Sequence, residues 1–293
     1  MTAGPESGEP ALRERVLGQR VRCYTLGGDT PVTSFGVNCV AVSGDRETLL
    51  VDPFIAPTHA RLVVGAVARA GLPPIRRVAL THHHTDHALG AGLLAREGAE
   101  VVAHRRCAEA MAAQHPGIVA ARRRDPALLP LFADAAPYLP GCPVDAAEEI
   151  DLGGVVVEVL PVGPGHTPGD CVVVLPGEGV VAAGDLLFDG YHFNYEEADP
   201  VAARRLLGLL AGLGGTFVPG HGRPGGAERL EEQRRYHDEA ERIARSALPA
   251  EAAARLLQQA FPAHLLAGAT GTAVQAWRAV LPGSAAGGVS AES

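Results

Sequence analysis

Short apolar runs that stop abruptly at a histidine or an aspartate recur five times along this 293-residue chain. Thr48-Leu49-Leu50-Val51 stops at Asp52, and Arg77-Val78-Ala79-Leu80 stops at Thr81-His82-His83-His84-Thr85-Asp86-His87. Val155 to Val162 precedes Gly165-His166-Thr167-Pro168-Gly169-Asp170, Val180 to Ala183 precedes Gly184-Asp185, and Thr216-Phe217-Val218 precedes Pro219-Gly220-His221-Gly222. Runs of this length read as strands. A polar group at each tip lies where the loops of a layered sheet protein build their sites. One such residue is usually a turn former, but five along one chain exceed what turns require. The pattern constrains the fold to sheets that gather several strand tips at one edge.

His82 to His87 is the sharpest segment. His82 and His84 alternate along an extended backbone, so both can point to the same side. Asp86 and His87 follow at the turn into a helix-like run, Ala88 to Glu97. Imidazoles and carboxylates without a thiolate set suit zinc, manganese or iron. Two divalent ions bridged by one carboxylate sit about 3.5–4 Å apart and pull the pKa of a shared water from 15.7 towards about 7. Hydroxide is then available to attack a carbonyl, with no Ser or Cys nucleophile required.

The ordered set His-x-His-x-Asp-His, a later His, a Gly-Asp and a final Gly-His resembles the metallo-β-lactamase superfamily over roughly residues 20–222. The resemblance implies an α+β fold, the αββα metallo-β-lactamase sandwich, with two metals between the sheets at one edge. By matching positions, His82, His84 and His166 resemble ligands of the first metal, and Asp86, His87 and His221 those of the second. Asp185 resembles the bridging carboxylate, and Asp52 the aspartate that orients the ligand loop. His83 matches no ligand position and is expected in a solvated loop. The implied cofactors are two Zn2+, with Mn2+ or Fe2+ as alternatives.

An aspartate at 185, where β-lactamases usually carry Cys or Ser, points towards glyoxalase II-like thioesterases and acyl-homoserine lactonases. All 25 basic residues are arginine, a departure from the lysine-dependent glutathione site of glyoxalase II. The branch that acts on carrier-protein-bound polyketides is a further match. The expected function is a dinuclear zinc hydrolase of thioesters or lactones with a bulky acyl group, free or carrier-bound, in which Asp86 or the second metal assists the leaving group. The alternatives are an iron-dependent oxygenase of the persulfide dioxygenase type and a β-lactamase.

Residues 1–19 read as a disordered leader, 20–225 as the sandwich domain, 226–282 as a C-terminal helical extension and 283–293 as a disordered tail. The extension is expected to cap the site, cover the sandwich or form a homodimer interface. A helix from Arg105 is expected to end at Gln114, before an irregular, proline-rich insertion at 115–149 that is a lid, a substrate wall or a packed structural segment. Within it, Arg122-Arg123-Arg124 reads as a solvated charge run or a contact for an acidic carrier or phosphate. Tyr191 and His192 leave directly from the Asp185 strand and are expected to contact substrate, one of them donating to a developing oxyanion. A net charge of -8 gives no general attraction for nucleic acid. No apolar run is long enough to span a membrane, and the N-terminus lacks the basic start and apolar core of a signal peptide, which points to the cytoplasm. Five scattered cysteines argue against a disulfide framework.

Overall fold

The computed structural model describes residues 11–281; the expected leader as far as residue 10 and the expected tail lie outside the described residues. Strand β1 (Arg13–Val16) is followed by β2 (Val21–Thr25), β3 (Asn38–Ser43), β4 (Thr48–Val51), β5 (Ile75–Ala79), β6 (Glu100–His104) and β7 (Cys142–Val144), which form one seven-stranded sheet in sequence order. β8 (Glu148–Asp151), β9 (Val156–Pro161), β10 (Cys171–Leu175), β11 (Val180–Phe188) and β12 (Thr216–His221) form a second sheet of five. β3 shows why the sheets stack. Its side chains alternate across the sheet, so Val40 and Val42 enter the core shared with Val157, Val159, Val173 and Val218 of the second sheet. Cys39 and Ala41 point the other way, into a core shared with helices.

Helices α1 (Pro57–Arg69), α2 (Thr85–Ala88), α3 (Ala91–Arg96) and α4 (Arg105–Arg124) belong to the first sheet's side. Val63, Val67, Leu94, Cys107 and Met111 of these helices cover its outer face. After the short α5 (Leu129–Phe132), α6 (Pro200–Leu213) places Leu206, Leu207 and Leu210 on the outer face of the second sheet. Asp199 caps α6 by accepting from the Val201 and Ala202 N–H groups, with Pro200 at the first helical position. The architecture is the expected αββα sandwich.

Parallel pairing gathers the strand tips. β4, β5 and β6 run parallel, as do β11 and β12, each pair joined through helices. The carboxyl ends of such strands open on one edge, which places Asp52, His82 and His221 together.

Three expectations are corrected. β1 lies inside the segment expected to be a disordered leader. All four of its residues are exposed, and it is held by backbone pairing from Arg13 opposite Thr25 to Val16 opposite Arg22. The helix expected to end at Gln114 runs on through Pro116 to Arg124. An interior proline costs about 3 kcal/mol, but the stripe Cys107, Met111, His115 and Val119, spaced four residues apart, is buried along the helix. Burial of that face outweighs the lost hydrogen bond. The rest of the expected irregular insertion also contains α5 and β7, and Phe132 packs with Ile55, Leu89 and Val119.

The C-terminal helices α7 (Glu228–Ala244), α8 (Ala250–Ala260) and α9 (Ala269–Val280) share a core with the segment that follows β11. Phe193 and Tyr195 of that segment meet Tyr236, Ile243, Leu257 and Trp277. No helix among the described residues is long and apolar enough to cross a membrane. Trp277 is buried, packs against Tyr195 and lies under the Arg204 guanidinium at 5.1 Å. Trp277→Ala is expected to cost about 3–5 kcal/mol, read as a lowered urea midpoint; a loss below about 1 kcal/mol would show that these helices pack loosely.

Candidate metal centre

The loop after β5 is fixed by one carboxylate. Asp52 Oδ1 accepts from the Thr81 N–H at 2.8 Å, and Oδ2 accepts from the Thr81 hydroxyl at 2.6 Å and from His87 Nδ1–H at 2.9 Å. The Thr81 hydroxyl, having donated to Asp52, accepts from His82 Nδ1–H at 3.0 Å. Both imidazoles are thereby left with Nε2 lone pairs directed inward, as metal ligation requires. Asp52 itself stands at φ 52, a left-handed conformation that short polar side chains tolerate.

Two other loops bring the remaining donors. In the turn between β9 and β10, Asp170 accepts from the N–H groups of His166 and Thr167 and from the Thr167 hydroxyl. That grip presents His166. At the end of β12, His221 Nδ1–H donates to the Phe35 carbonyl at 2.9 Å. Phe35 and Ser34 both stand at φ 51; such strain in non-glycine residues is held where it serves a site, and here it aims that carbonyl. Asn38 Nδ2 donates to the carbonyls of Pro219 and Gly222 at 2.9 and 2.8 Å, and Phe188 stacks on the His221 ring at 5.0 Å. Gly220 must lack a side chain, because a Cβ there would overlap Asp185 Oδ1.

Seven side chains converge. In the first set, His166 Nε2 lies 3.0 Å from His84 Nδ1 and 3.3 Å from Asp185 Oδ2, and His82 Nε2 lies 3.7 Å from Asp185 Oδ2. In the second, His87 Nε2 lies 3.4 Å from His221 Nε2 and 3.1 Å from Asp185 Oδ1. Asp86 Oδ2 is 3.5 Å from His221 Nε2 and 3.8 Å from His87 Nε2. Tetrahedral ligation with bonds of about 2.1 Å puts neighbouring donors about 3.4 Å apart, so both sets fit a divalent ion. His82 Nε2 and Asp185 Oδ1 are buried without a hydrogen-bond partner, a costly state that a bound cation relieves. Asp185 faces both sets, one oxygen towards His87 and the other towards His166 and His82.

The electrostatics agree. Burial, with neighbouring imidazoles adding to it, holds His82 and His84 well below the usual histidine range. Burial takes His166 down to about 4. These three are neutral donors at pH 7. At His87 burial opposes the imidazolium, but the carboxylates of Asp185, Asp86 and Asp52 outweigh it and hold the pKa well up. His221 is raised in the same way, burial opposing and Asp185 prevailing. Burial disfavours the Asp185 carboxylate, yet His87, His221 and His82 hold it well below the usual range. The carboxylates thus favour positive charge at His87 and His221, where a divalent ion would stand.

A cavity of about 350 Å³ opens over the cluster, with His84, Asp86, Asp185 and His221 on its floor. Its walls include Gln114, Ile118 and Arg122 of α4, so part of the expected insertion is a cavity wall. His83 corrects its expectation. It is buried rather than solvated, with Nε2 3.2 Å from Glu197 Oε2, and its carbonyl accepts from His115 Nε2–H at 2.7 Å. The two residues expected to meet substrate do not line this cavity. The Tyr191 hydroxyl donates to the Gly28 carbonyl at 2.7 Å, and its ring lies 5.3 Å from that of His221. His192 is buried, with Nδ1 3.0 Å from the Tyr236 hydroxyl. Both are drawn into the C-terminal helical core, which the loop's position after Asp185 could not reveal. Asn38, Ser34 and Asp170 were not singled out in sequence; only Asp170, four residues after His166 in a Pro/Gly turn, carried a local signal.

Residues 32–243 match the family model described as the Metallo-beta-lactamase superfamily. A hydroxyacylglutathione hydrolase from Acidiphilium cryptum is 35% identical over 161 residues, covering 55% of this chain and 54% of that protein. The alpha subunit of 2,4-dinitroanisole O-demethylase from a Nocardioides species is 29% identical over 190 residues, covering 62% and 51%. The chain thus spans about half the length of the curated relatives it matches. Among solved structures, a metallo-beta-lactamase from Pontibacter korlensis superposes with a TM-score of 0.61 at 22% identity, over 78% of this chain and 99% of that one. A metallo-beta-lactamase from Pseudomonas aeruginosa in its mono-zinc form gives 0.61 at 20%, over 80% and 98%.

Asp52→Asn is expected to lower divalent metal affinity by about 10–100-fold, since such outer partners orient the ligands. Tyr191→Phe is expected to leave metal affinity unchanged and to cost about 0.5–1.5 kcal/mol of stability through the lost bond to Gly28. Competition against a chromophoric chelator, with urea unfolding alongside, checks both; wild-type affinity in Asp52→Asn would contradict the role given to that carboxylate.

Proposed function

The chain belongs to the metallo-β-lactamase superfamily, and from that premise we propose that it is a dinuclear, zinc-dependent hydrolase of thioesters or lactones. The observation that carries this is the pair of donor sets sharing Asp185, each with the spacing of a divalent site. When bound, a pair of divalent ions supplies a hydroxide nucleophile at neutral pH and polarises a carbonyl oxygen. The 35% identity to a hydroxyacylglutathione hydrolase supports a thioester among the substrates.

The chain's own residues determine orientation and proton handling. Phe35, Ile118, Phe188 and Leu266 line the cavity and provide apolar surface for an acyl group, leaving the scissile carbonyl over Asp185. Asp86 also lines the cavity, with Oδ2 turned to His221. It is the carboxylate placed to take the proton of the attacking water and hand it to the departing thiolate or alkoxide. Asp52 fixes the His82 and His87 imidazoles and Asp170 fixes the backbone that carries His166, so little reorganisation accompanies the reaction.

Metal-replete protein is expected to hydrolyse a panel of acyl thioesters or lactones, to lose that activity on chelation, and to regain it with zinc or manganese. Asp86→Asn is expected to lower turnover by about 10²–10⁴-fold, the usual range for loss of a positioned acid or base. Absence of hydrolysis of either substrate class by the metal-replete protein would overturn the proposal.

A further inference from the structure

The three consecutive arginines at 122–124 have separate fates. Arg123 donates to the carbonyls of Phe132, Ala133 and Ala135 and ties α4 to the chain after α5. Arg124 is exposed. Arg122 lies three residues beyond Val119 on the buried stripe of α4 and lines the cavity over the metal-ligand cluster. Its guanidinium carbon lies over the buried Phe132 ring, 4.9 Å from the centroid. Among the described residues that guanidinium makes no hydrogen bond and no ion pair, and its Nη1 is buried without a partner. A guanidinium remains charged in proteins, and leaving such donors buried and unmet is costly. Burial presses its pKa down and Asp86 partly offsets this. The helix that carries it is registered to the metal loop by the His115 bond to the His83 carbonyl, two turns earlier.

We infer that Arg122 anchors a carboxylate carried by the substrate on the α4 wall of the cavity, away from the bond that breaks. The Phe132 contact holds the guanidinium at the cavity wall, and a guanidinium fork receives a carboxylate in two parallel hydrogen bonds. A carboxylate is favoured over a phosphate because Asp86, Glu196 and Glu197 line the same cavity and repel a dianion more strongly than a single charge. With Ile118 and Leu266 also lining the cavity, the substrate class is an acyl compound with an apolar segment and a terminal carboxylate. This assignment rests on the hydrolase proposed above for its substrate, though not for its binding test.

Binding of 4-sulfanylbutanoate, 4-sulfanylbutanamide and a phosphate-terminated thiol of similar length is measured by calorimetry on metal-loaded wild type, Arg122→Met and Arg122→Lys, with metal content checked in each. Wild type is expected to bind the acid about tenfold or more tightly than the amide, the scale of one charge-assisted pair. That ratio collapses to about one in Arg122→Met and is only partly kept in Arg122→Lys. Should Arg122→Met fail to fold, the lysine variant still decides, because a point charge without the fork lowers the ratio. An equal acid preference in wild type and variants, or none in wild type, overturns the anchor. A phosphate bound more tightly than the acid overturns the carboxylate. If the preference collapses as expected while neither acid- nor amide-terminated thioesters are hydrolysed, the hydrolase proposal fails and the anchor stands. Hydrolysis with the same acid preference in all three proteins has the opposite meaning.

Discussion

The Asp52 carboxylate holds the Thr81 N–H, the Thr81 hydroxyl and His87 Nδ1–H at once, and the rest of the site follows from that grip. Without it the loop after β5 has no fixed direction, and neither imidazole tautomer is set. With it, His82 and His87 present Nε2 to opposite sides of Asp185. The carboxylate is buried, so its hydrogen bonds are made in a medium where an unmet partner is expensive. That cost makes the arrangement rigid, and rigidity lets candidate ligands from four separate segments come within 3.0–3.8 Å of their neighbours.

The sandwich and the site constrain each other. Parallel pairing puts the tips of β4, β5 and β12 on one edge, and the continuous apolar runs behind them lock the register, because a slip of one residue would turn every core side chain to the wrong face. Gly220 admits Asp185, and the left-handed Ser34 and Phe35 supply the acceptor for His221. The C-terminal helices reach the site indirectly. Gln233 of α7 accepts from the Phe188 N–H at 2.9 Å, and Phe188 stacks on His221. The helical extension therefore supports the His221 imidazole of the candidate metal centre rather than standing apart from it.

Strand tips and their polar residues are legible in sequence because short continuous apolar runs are local and the candidate ligands sit at or soon after their ends. The same locality explains what could not be read. β1 carries Arg13, Glu14 and Arg15, a polar run held to β2 by backbone bonds that no side-chain pattern reports. Pro116 is a strong local stop, and only the buried stripe beneath α4 outweighs it. His83 was placed in solvent because its partners, Glu197 and His115, come from distant segments. The expectation that Tyr191 contacts substrate fails because its hydroxyl acceptor, Gly28, is 163 residues away.

The central claim is that the two donor sets sharing Asp185 hold two like divalent ions. Elemental mass spectrometry on protein purified without added metal tests it most directly. About two zinc ions per chain are expected, falling together in Asp185→Ala because one carboxylate serves both sets. About one iron per chain, with the Asp86, His87 and His221 set contributing no ligation, would contradict it.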